Sequence, residues 1–369
     1  MRVSRLAAVL SAAILLVGCS SDDGRSTARA ASLISQSSPL RTDIEALLRS
    51  GATGVIVTVT DQDRHQTLTG GFADLATSRP IPQEPAQQVR VGRITETFTA
   101  ALVLQLVGED RIRLDAPIET YLPGLLRGDA ADGHAITVRQ LLRHQSGLPE
   151  LTDGDRAARA YRTTTPQEQI EIALSHPAAF APGTHARYSN TDYIVCGLLI
   201  EKVTGTSYAD ELTRRILEPL QLTDTYLPAP GDLGIRGPHP TGYATIDGRT
   251  TEATPTEPTN PWSSGALIST GPDLNRFYTE LRAGEVISPA QLQEMLNTVG
   301  LEEGRDYGLG IRTQRLPCGT TYSGHRGGGH GYTTIVGATI AGRAVTATHT
   351  GTATSGPDLD ILLRHALCP

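Results

Sequence analysis

Residues 88–106 constrain the fold of this chain more than any other stretch. They consist of a short extended lead-in, a glycine at a turn, and then an apolar run that contains Ala101, Leu102, Leu104 and Leu106. These positions fall on more than one face of a helix, so the run predicts a helix at 95–108 that is buried on most sides. Because an element that is apolar on most faces must lie inside a domain, the rest of the chain has to pack around it.

The composition is that of a globular protein with many loops. The chain has 369 residues, of which 38% are hydrophobic, with 38 glycines and 23 prolines. This length is enough for one large two-lobed domain or two ordinary ones with a sizeable core. The formal net charge of −7, without a basic stripe, argues against a nucleic-acid partner.

The first residues predict export and a lipid anchor. A basic start is followed by a short apolar core and by the sequence Leu-Val-Gly-Cys at residues 16–19, which resembles a bacterial lipobox. The apolar run is too short for a permanent membrane helix. We therefore expect residues 1–19 to be a lipoprotein signal peptide in which Cys19 becomes the lipidated N-terminus. Residues 20–38 would be a flexible tether and 39–369 one domain on the outer face of the cell membrane. An ordinary secretory signal with an incidental cysteine is the alternative.

The cysteines predict one disulfide. With Cys19 lipidated, three remain in an oxidising compartment, namely Cys196, Cys318 and Cys368. Cys196 lies in an apolar helical run, where a buried thiol behaves as a small hydrophobic group. We therefore expect Cys318 and Cys368 to form the disulfide. Since no Cys/His spacing resembles a metal site, neither a metal nor another cofactor is expected.

The order of the predicted elements indicates a mixed fold. A helix at 42–48 precedes a hairpin of strands at 54–60 and 66–70. A long, mainly helical excursion follows, and the chain ends with strands near 309–316, 333–340 and 343–350 and a helix at 357–367. The two ends of the chain would thus build one antiparallel sheet, with a helical lobe inserted between them. The predicted class is α/β, more specifically α+β.

The start of the helix at 95–108 resembles the active-site helix of the penicillin-recognising serine hydrolases. This family contains D-alanyl-D-alanine carboxypeptidases, class C β-lactamases and related esterases, and its helix opens with Ser-x-x-Lys, the acyl nucleophile and its activating lysine. Arg93 stands here in the serine's place and Glu96 in the lysine's. Lys202 is the only lysine and is preceded three residues earlier by Leu199, so the chain contains no Ser-x-x-Lys at all. The resemblance, from about residue 40 to the C-terminus, implies a β-lactamase/transpeptidase-like fold.

Two further motifs of this family have counterparts in the chain. Tyr188 and Asn190 match Tyr-x-Asn, in which the tyrosine acts in proton transfer and the asparagine helps to hold the substrate amide. His325 and Gly327 match His-x-Gly, which lines the pocket at a sheet edge, with Arg326 bulkier than the residue usual between them. Residues 136–149, which include His-Gln-Ser-Gly-Leu, are similar to a helix–turn signature of the family.

The substitutions at 93 and 96 favour loss of catalysis, because an arginine is a permanent cation that is neither nucleophile nor base. Our first hypothesis is a non-catalytic lipoprotein that binds a cell-wall peptide or another small carboxylate through Arg93, Asn190 and Arg326. The second is a hydrolase, a carboxypeptidase or esterase, that uses a non-standard set of residues in the same cleft. The third is a surface interaction module whose cleft has no role.

Overall fold

The computed structural model of the protein describes residue 34 and residues 38–62, 64–246, 248–301, 305–353 and 359–368. The predicted signal peptide, Cys19 and nearly all of the predicted tether lie outside these ranges. No helix among the described residues is long and apolar enough to cross a membrane.

Eleven helices are named here in chain order: α1 Leu40–Arg49, α2 Thr95–Gly108, α3 Val138–Leu142, α4 Asp153–Arg159, α5 Pro166–Leu174, α6 Asn190–Thr204, α7 Tyr208–Leu212, α8 Trp262–Gly265, α9 Gly271–Ala283, α10 Pro289–Leu296 and α11 Leu359–Leu367. Short 3-10 turns cover Gly92–Ile94 and Ile118–Thr120, and a π turn covers Thr213–Leu217. The strands are β1 Gly54–Asp61, β2 Arg64–Asp74, β3 Arg79–Pro80, β4 Val89–Arg90, β5 Tyr243–Ile246, β6 Arg249–Glu252, β7 Ile268–Ser269, β8 Val299–Leu301, β9 Arg305–Tyr307, β10 Arg312–Arg315, β11 Thr321–Gly329, β12 Tyr332–Thr339 and β13 Arg343–Thr350.

The main sheet confirms the predicted assembly from both ends of the chain. Its strand order is β3-β2-β1-β13-β12-β11-β10-β9-β8, so the N-terminal hairpin joins the C-terminal strands through β1 and β13. That pairing is antiparallel and runs without a shift from Gly54 opposite Thr350 to Asp61 opposite Arg343. The mainly helical segment between β3 and β8 carries α2 to α10, as the inserted lobe of the prediction requires.

The strand prediction missed four members of this sheet, the short strands β3, β8 and β9 and the nine-residue strand β11. The three expected C-terminal strands correspond to β10, β12 and β13, and β11 lies between β10 and β12. Its sequence, TYSGHRGGG, has few of the β-branched and aromatic residues that mark strands, and its glycines weaken the alternation on which the prediction depended. β11 pairs with β10 only as far as Gly324. From His325 onward the edge of β11 is therefore not covered by β10, and we call this part the open edge of β11.

Helix α2 lies at the centre of the larger hydrophobic core and has the predicted bounds, Thr95–Gly108. Its polar residues are buried as well, and each threonine hydroxyl is hydrogen-bonded. Thr97 Oγ1 donates to the Gly310 carbonyl over 2.7 Å, and Thr99 Oγ1 donates to the Ser263 carbonyl over 2.7 Å. Because buried hydroxyls need such partners, these threonines serve packing and are not available as nucleophiles.

The predicted disulfide is confirmed. Cys318, after β10, is bonded to Cys368, after α11, and Cys196 is a buried free thiol in α6. The bond closes a loop with a sequence separation of 50 residues. In the chain-entropy account such a loop contributes about 4 kcal/mol by restricting the unfolded chain. It therefore ties α11 to the sheet on which it packs.

Candidate functional site

The backbone around Arg93 lies against the glycines of β11. Gly92 has a φ of 53°, and a Cβ on it would come within 2.7 Å of the Gly328 nitrogen. A Cβ on Gly327 would lie 1.9 Å from the Val91 oxygen and 2.8 Å from the Arg93 nitrogen. Only glycine permits this approach, so the residue at 93 is held beside the open edge of β11.

The Arg93 side chain lies over an aromatic ring. Its Cζ is 4.6 Å from the centroid of the Tyr188 ring, a cation–π contact at the start of α2. The Tyr188 hydroxyl donates to Oδ1 of Asn190 over 2.6 Å. Burial and the nearby Glu96 carboxylate raise the pKa of Tyr188, so its phenol remains protonated and acts as a donor.

Glu96 turns in the other direction, into a fully buried polar cluster. Its Oε2 accepts from the Tyr307 hydroxyl over 2.8 Å and lies 3.4 Å from Nε2 of His144 and 3.5 Å from Nε2 of His325. Burial acts to raise the pKa of Glu96, but the two imidazoles more than offset it and hold the pKa well below its ordinary value. The lysine position of the family is thus occupied by a buried carboxylate.

His144 lies between two carboxylates, Glu96 and Asp192. Its Nδ1 is 2.9 Å from Oδ2 of Asp192, whose other oxygen accepts from the Ser146 hydroxyl. Burial of the ring is more than offset by hydrogen bonds to Asp192 and Glu96, so the pKa of His144 rises to about 9. At neutral pH His144 is therefore an imidazolium that compensates the two buried negative charges. Burial lowers the pKa of His325, with Glu96 acting in the opposite direction.

The Asn190 amide is already engaged by protein groups. Its Nδ2 donates to Oε1 of Glu150 over 2.7 Å, and its backbone N–H donates to Oε2 of the same carboxylate. Glu150 in turn pairs with Nη1 of Arg156 at 2.6 Å. Each end of the Asn190 amide therefore already makes one hydrogen bond within the chain.

A cavity of about 610 Å³ opens in front of these groups. It is lined by nineteen residues: Arg90, Gly92, Arg93, Glu150, Leu151, Arg156, Arg159, Ala160, Tyr188, Asn190, Thr256, Glu257, Asn260, Pro261, Gly265, Ala266, Gly328, Gly329 and His330. This volume suits a small-molecule ligand. None of these lining residues is a serine, a cysteine or a lysine. No group of three or more His, Cys, Asp or Glu among the described residues could hold a metal ion.

Most of the predicted site residues come together here, and one lies elsewhere. Arg93, Tyr188 and Asn190 line the cavity, and His325 and Gly327 lie behind it on β11. Arg326 does not line the cavity. Its Nη1 lies 3.3 Å from Oδ2 of Asp360 in α11, because successive side chains of β11 point to opposite faces of the sheet.

The sequence prediction did not identify His144, Asp192, Tyr307 or Glu150 as site residues. His144 belongs to the His-Gln-Ser-Gly-Leu signature, which could have identified it, and Asp192 follows the Tyr-x-Asn motif by two residues. Tyr307 and Glu150 carry no motif and reach the site only through the fold. Ser146 is buried, does not line the cavity, and donates its hydroxyl to Asp192.

Comparison with known proteins agrees with this architecture. The model of the Beta-lactamase family matches residues 40–367. The chain is 30% identical over 256 residues to the unguisins hydrolase of Aspergillus violaceofuscus, which covers 66% of this chain and 44% of that protein. It is 26% identical over 281 residues to a penicillin-binding protein of Bacillus subtilis, which covers 72% of this chain and 60% of that protein. The chain thus spans less than two thirds of the length of either relative.

Solved structures show the same fold. A D-stereospecific amidohydrolase from Streptomyces sp. superposes with a TM-score of 0.81 at 31% identity, over 89% of this chain and 98% of that one. An octameric penicillin-binding protein homologue from Pyrococcus abyssi superposes with a TM-score of 0.77 at 24% identity, over 89% of this chain and 76% of that one. The second likeness concerns the fold alone.

Proposed function

We propose that this chain, which belongs to the β-lactamase family, is a non-catalytic member that binds a small carboxylate ligand. It carries Arg93 and Glu96 where the family has its serine and lysine. The observation that carries this proposal is the position of Arg93, which lies beside the glycines of β11 and lines a cavity of about 610 Å³. A cell-wall peptide with a free carboxyl end is one ligand of this class.

Loss of catalysis is supported by the chemistry of both substituted positions. Arg93 cannot form an acyl-enzyme, because a guanidinium is protonated at all relevant pH values and is not a nucleophile. Glu96 is buried and bonded to Tyr307, and its low pKa makes it a poor base. Loss of the serine nucleophile alone lowers the rate of a triad enzyme by about 10⁶, so the remaining groups would leave very little hydrolysis.

Binding of a carboxylate is supported by the geometry of Arg93. A guanidinium presents a planar pair of donors that matches a carboxylate, and stacking on the Tyr188 ring limits the freedom that would be lost on binding. Two of the similar proteins are described as a hydrolase and an amidohydrolase. Their activities are not assigned to this chain, since its two catalytic positions differ.

The first prediction tests both parts of this proposal. The wild-type protein is expected to bind a stem-peptide fragment with a free C-terminal carboxylate more tightly than the same peptide as an amide. Arg93→Met should weaken binding of the acid about 10- to 100-fold, because a charge-assisted hydrogen bond is lost. Calorimetry gives both constants, and Arg49→Met, an exposed change in α1, is the matched control.

Labelled penicillin and an activated ester complete this test. The wild type is expected to form no covalent adduct and to release no product above the buffer rate. Acylation or turnover would support the non-standard hydrolase instead. If the acid and the amide bind equally, or neither binds, the ligand proposal is wrong and the surface interaction module becomes the better account.

We also propose that the protein is a lipoprotein held on the outer face of the cell membrane. The lipobox-like sequence that ends at Cys19 and the short apolar core before it support this location. The second prediction is that Cys19→Ala abolishes incorporation of labelled fatty acid and moves the protein from the membrane to the soluble fraction. Cys196→Ala, which changes a buried thiol of α6, is the control. A Cys19→Ala protein that still carries label would disprove the anchor.

A further inference from the structure

The cavity carries a surplus of positive charge. Its lining includes four arginines, at 90, 93, 156 and 159, and two glutamates, at 150 and 257. A formal surplus of two positive charges in one partly enclosed space favours a dianionic ligand over a singly charged one. The four arginines are not equivalent, since their existing partners differ.

Arg156 and Arg90 are bound to groups of the chain. Arg156 pairs with Glu150 at 2.6 Å and with Asp153 at 2.8 Å, so its charge is compensated. Arg90 is buried and donates to carbonyl oxygens, through Nε to Thr254 over 2.9 Å and through Nη2 to Leu233 over 2.6 Å. Carbonyl oxygens hold a guanidinium in place but do not neutralise its charge.

Arg159 differs from both because part of its guanidinium has no partner. It is the last residue of α4 and only 4% exposed, and within the described part of the chain its buried Nη1 has no hydrogen-bond partner. Its Nε donates to the Asp155 carbonyl over 2.9 Å. Oδ2 of the Asp155 carboxylate is bonded to Nε2 of His176 over 2.8 Å and to Thr152, and Nη1 of Arg159 makes no hydrogen bond to this carboxylate.

A buried donor without a partner is costly, and a buried cation without a counter-charge more so. Arg159 has such a donor and lies on the wall of a cavity large enough for a ligand. The residue is also held in place, because its carbonyl accepts from Nδ2 of Asn260 over 2.6 Å. A donor that is fixed before the ligand arrives loses little entropy on binding.

The Asn190 amide is already engaged in part. Its Nδ2 donates one hydrogen to Glu150, and its Oδ1 accepts one bond from Tyr188. Asn190 also carries no charge, so an anionic group in the cavity is attracted to the Arg159 guanidinium on the cavity wall and not to Asn190.

We propose that Arg159 is a second anion-binding position in this cavity and that the ligand is a dicarboxylate, with one carboxylate at Arg93 and the other at Arg159. This inference rests on the proposed function, because it presupposes that Arg93 binds a carboxylate. It specifies the class of ligand, which is an acylated acidic amino acid or a short peptide that ends in an acidic amino acid. The pair of carboxylates balances the two surplus positive charges of the lining.

The third prediction uses pairs of ligands that differ in one charge. N-acetylglutamate is compared with N-acetylglutamine, and the N-acetylated aminoadipate with its side-chain amide, because the longer acid allows for a wider separation of the two arginines. The wild type is expected to bind at least one diacid roughly tenfold or more tightly than its amide, measured by calorimetry at low salt.

Arg159→Gln is expected to abolish that preference and to leave the affinity for the amides within about threefold. Arg162→Gln removes the same charge three residues later, from a side chain that is 60% exposed and does not line the cavity, and should retain the preference. Arg159→Met serves as a second variant, and circular dichroism with a thermal midpoint checks that each variant is folded. Arg93→Met should weaken binding of acids and amides alike.

The outcomes separate the two proposals. If the wild type binds acids and amides equally well, or if Arg159→Gln and Arg159→Met both retain the preference, the second position is wrong while carboxylate binding at Arg93 stands. If no member of the series binds the wild type and the stem peptide does, the ligand is not of this class. If neither binds, both proposals fail.

Discussion

His144→Asn is expected to destabilise the protein by about 3–5 kcal/mol, the cost of removing one partner from a buried ion pair. His144 is fully buried between Glu96 and Asp192, at 3.4 Å and 2.9 Å. Without the imidazolium, two carboxylates remain buried without their shared cation. Asparagine is chosen because His144 has a φ of 57°, a conformation that asparagine tolerates better than most residues. The measurement is chemical denaturation at pH 8.

The control is His176→Asn. His176 also pairs with a carboxylate, Asp155, over 2.8 Å, but its side chain is 32% exposed. An ion pair that is partly open to solvent contributes at most about 1 kcal/mol. A loss at His144 no larger than the loss at His176 would show that the buried cluster is not charge-compensated in the way described.

The charge argument also predicts a rescue and a pH dependence. Glu96→Gln added to His144→Asn should recover part of the lost stability, because it removes one of the two uncompensated charges. The stability of His144→Asn should itself rise between pH 8 and pH 5, because one of its buried carboxylates can take up a proton. In the wild type the pKa of His144 is raised to about 9. The stability from its charge is therefore complete below about pH 6.5 and lost as the pH rises through 9.

The parts of this fold that could be predicted from sequence are those with local signals. Helix α2 was predicted with its observed bounds because a continuous apolar run is flanked by a glycine turn and a charged end. The disulfide followed from counting cysteines in a chain that was expected to be exported. Strand β11 was missed because its glycines, which the site requires for close approach to Gly92 and Arg93, remove the pattern that marks a strand.

The buried cluster could not be predicted in the same way. Glu96, His144, Asp192 and Tyr307 are far apart in sequence, and each alone resembles an ordinary polar residue. The comparison of motifs indicated that Glu96 stands in the place of a lysine. It could not indicate which groups stabilise this carboxylate in the folded chain. Only the fold shows that His144 supplies the compensating charge and that Tyr307 donates to the carboxylate.

The double variant Arg93→Ser/Glu96→Lys is expected to become slowly acylated by penicillin, whereas the wild type and both single variants are not. The frame for acyl transfer is present, since residue 93 lies beside the open edge of β11 and Tyr188 lies next to it. Serine at 93 supplies the missing nucleophile, and lysine at 96 supplies the group that activates it in the family. Two residues that act as a unit should show strong non-additivity.

The buried cluster can accommodate the lysine. An ammonium at 96 would be repelled by an imidazolium at 144, but Glu96 is itself one of the groups that hold the His144 proton. Glu96→Lys removes that carboxylate and so lowers the pKa of His144, which can then be neutral beside the new cation. Tyr307, which now donates to Glu96, can rotate its hydroxyl hydrogen and accept from the ammonium instead.

Intact-protein mass spectrometry measures the adduct directly. A serine nucleophile is worth about 10⁶ in rate in a triad enzyme, so recovery of even a thousandth of that would make acylation about 10³-fold faster than the background.

Arg93→Ser alone leaves a carboxylate where the activating lysine belongs, and Glu96→Lys alone has no nucleophile. The double variant Arg93→Ala/Glu96→Lys is the control, because alanine has no hydroxyl that could be acylated. Acylation of the wild type would contradict the assignment of Arg93, and an inert but folded double variant would show that the cleft lacks more than these two side chains.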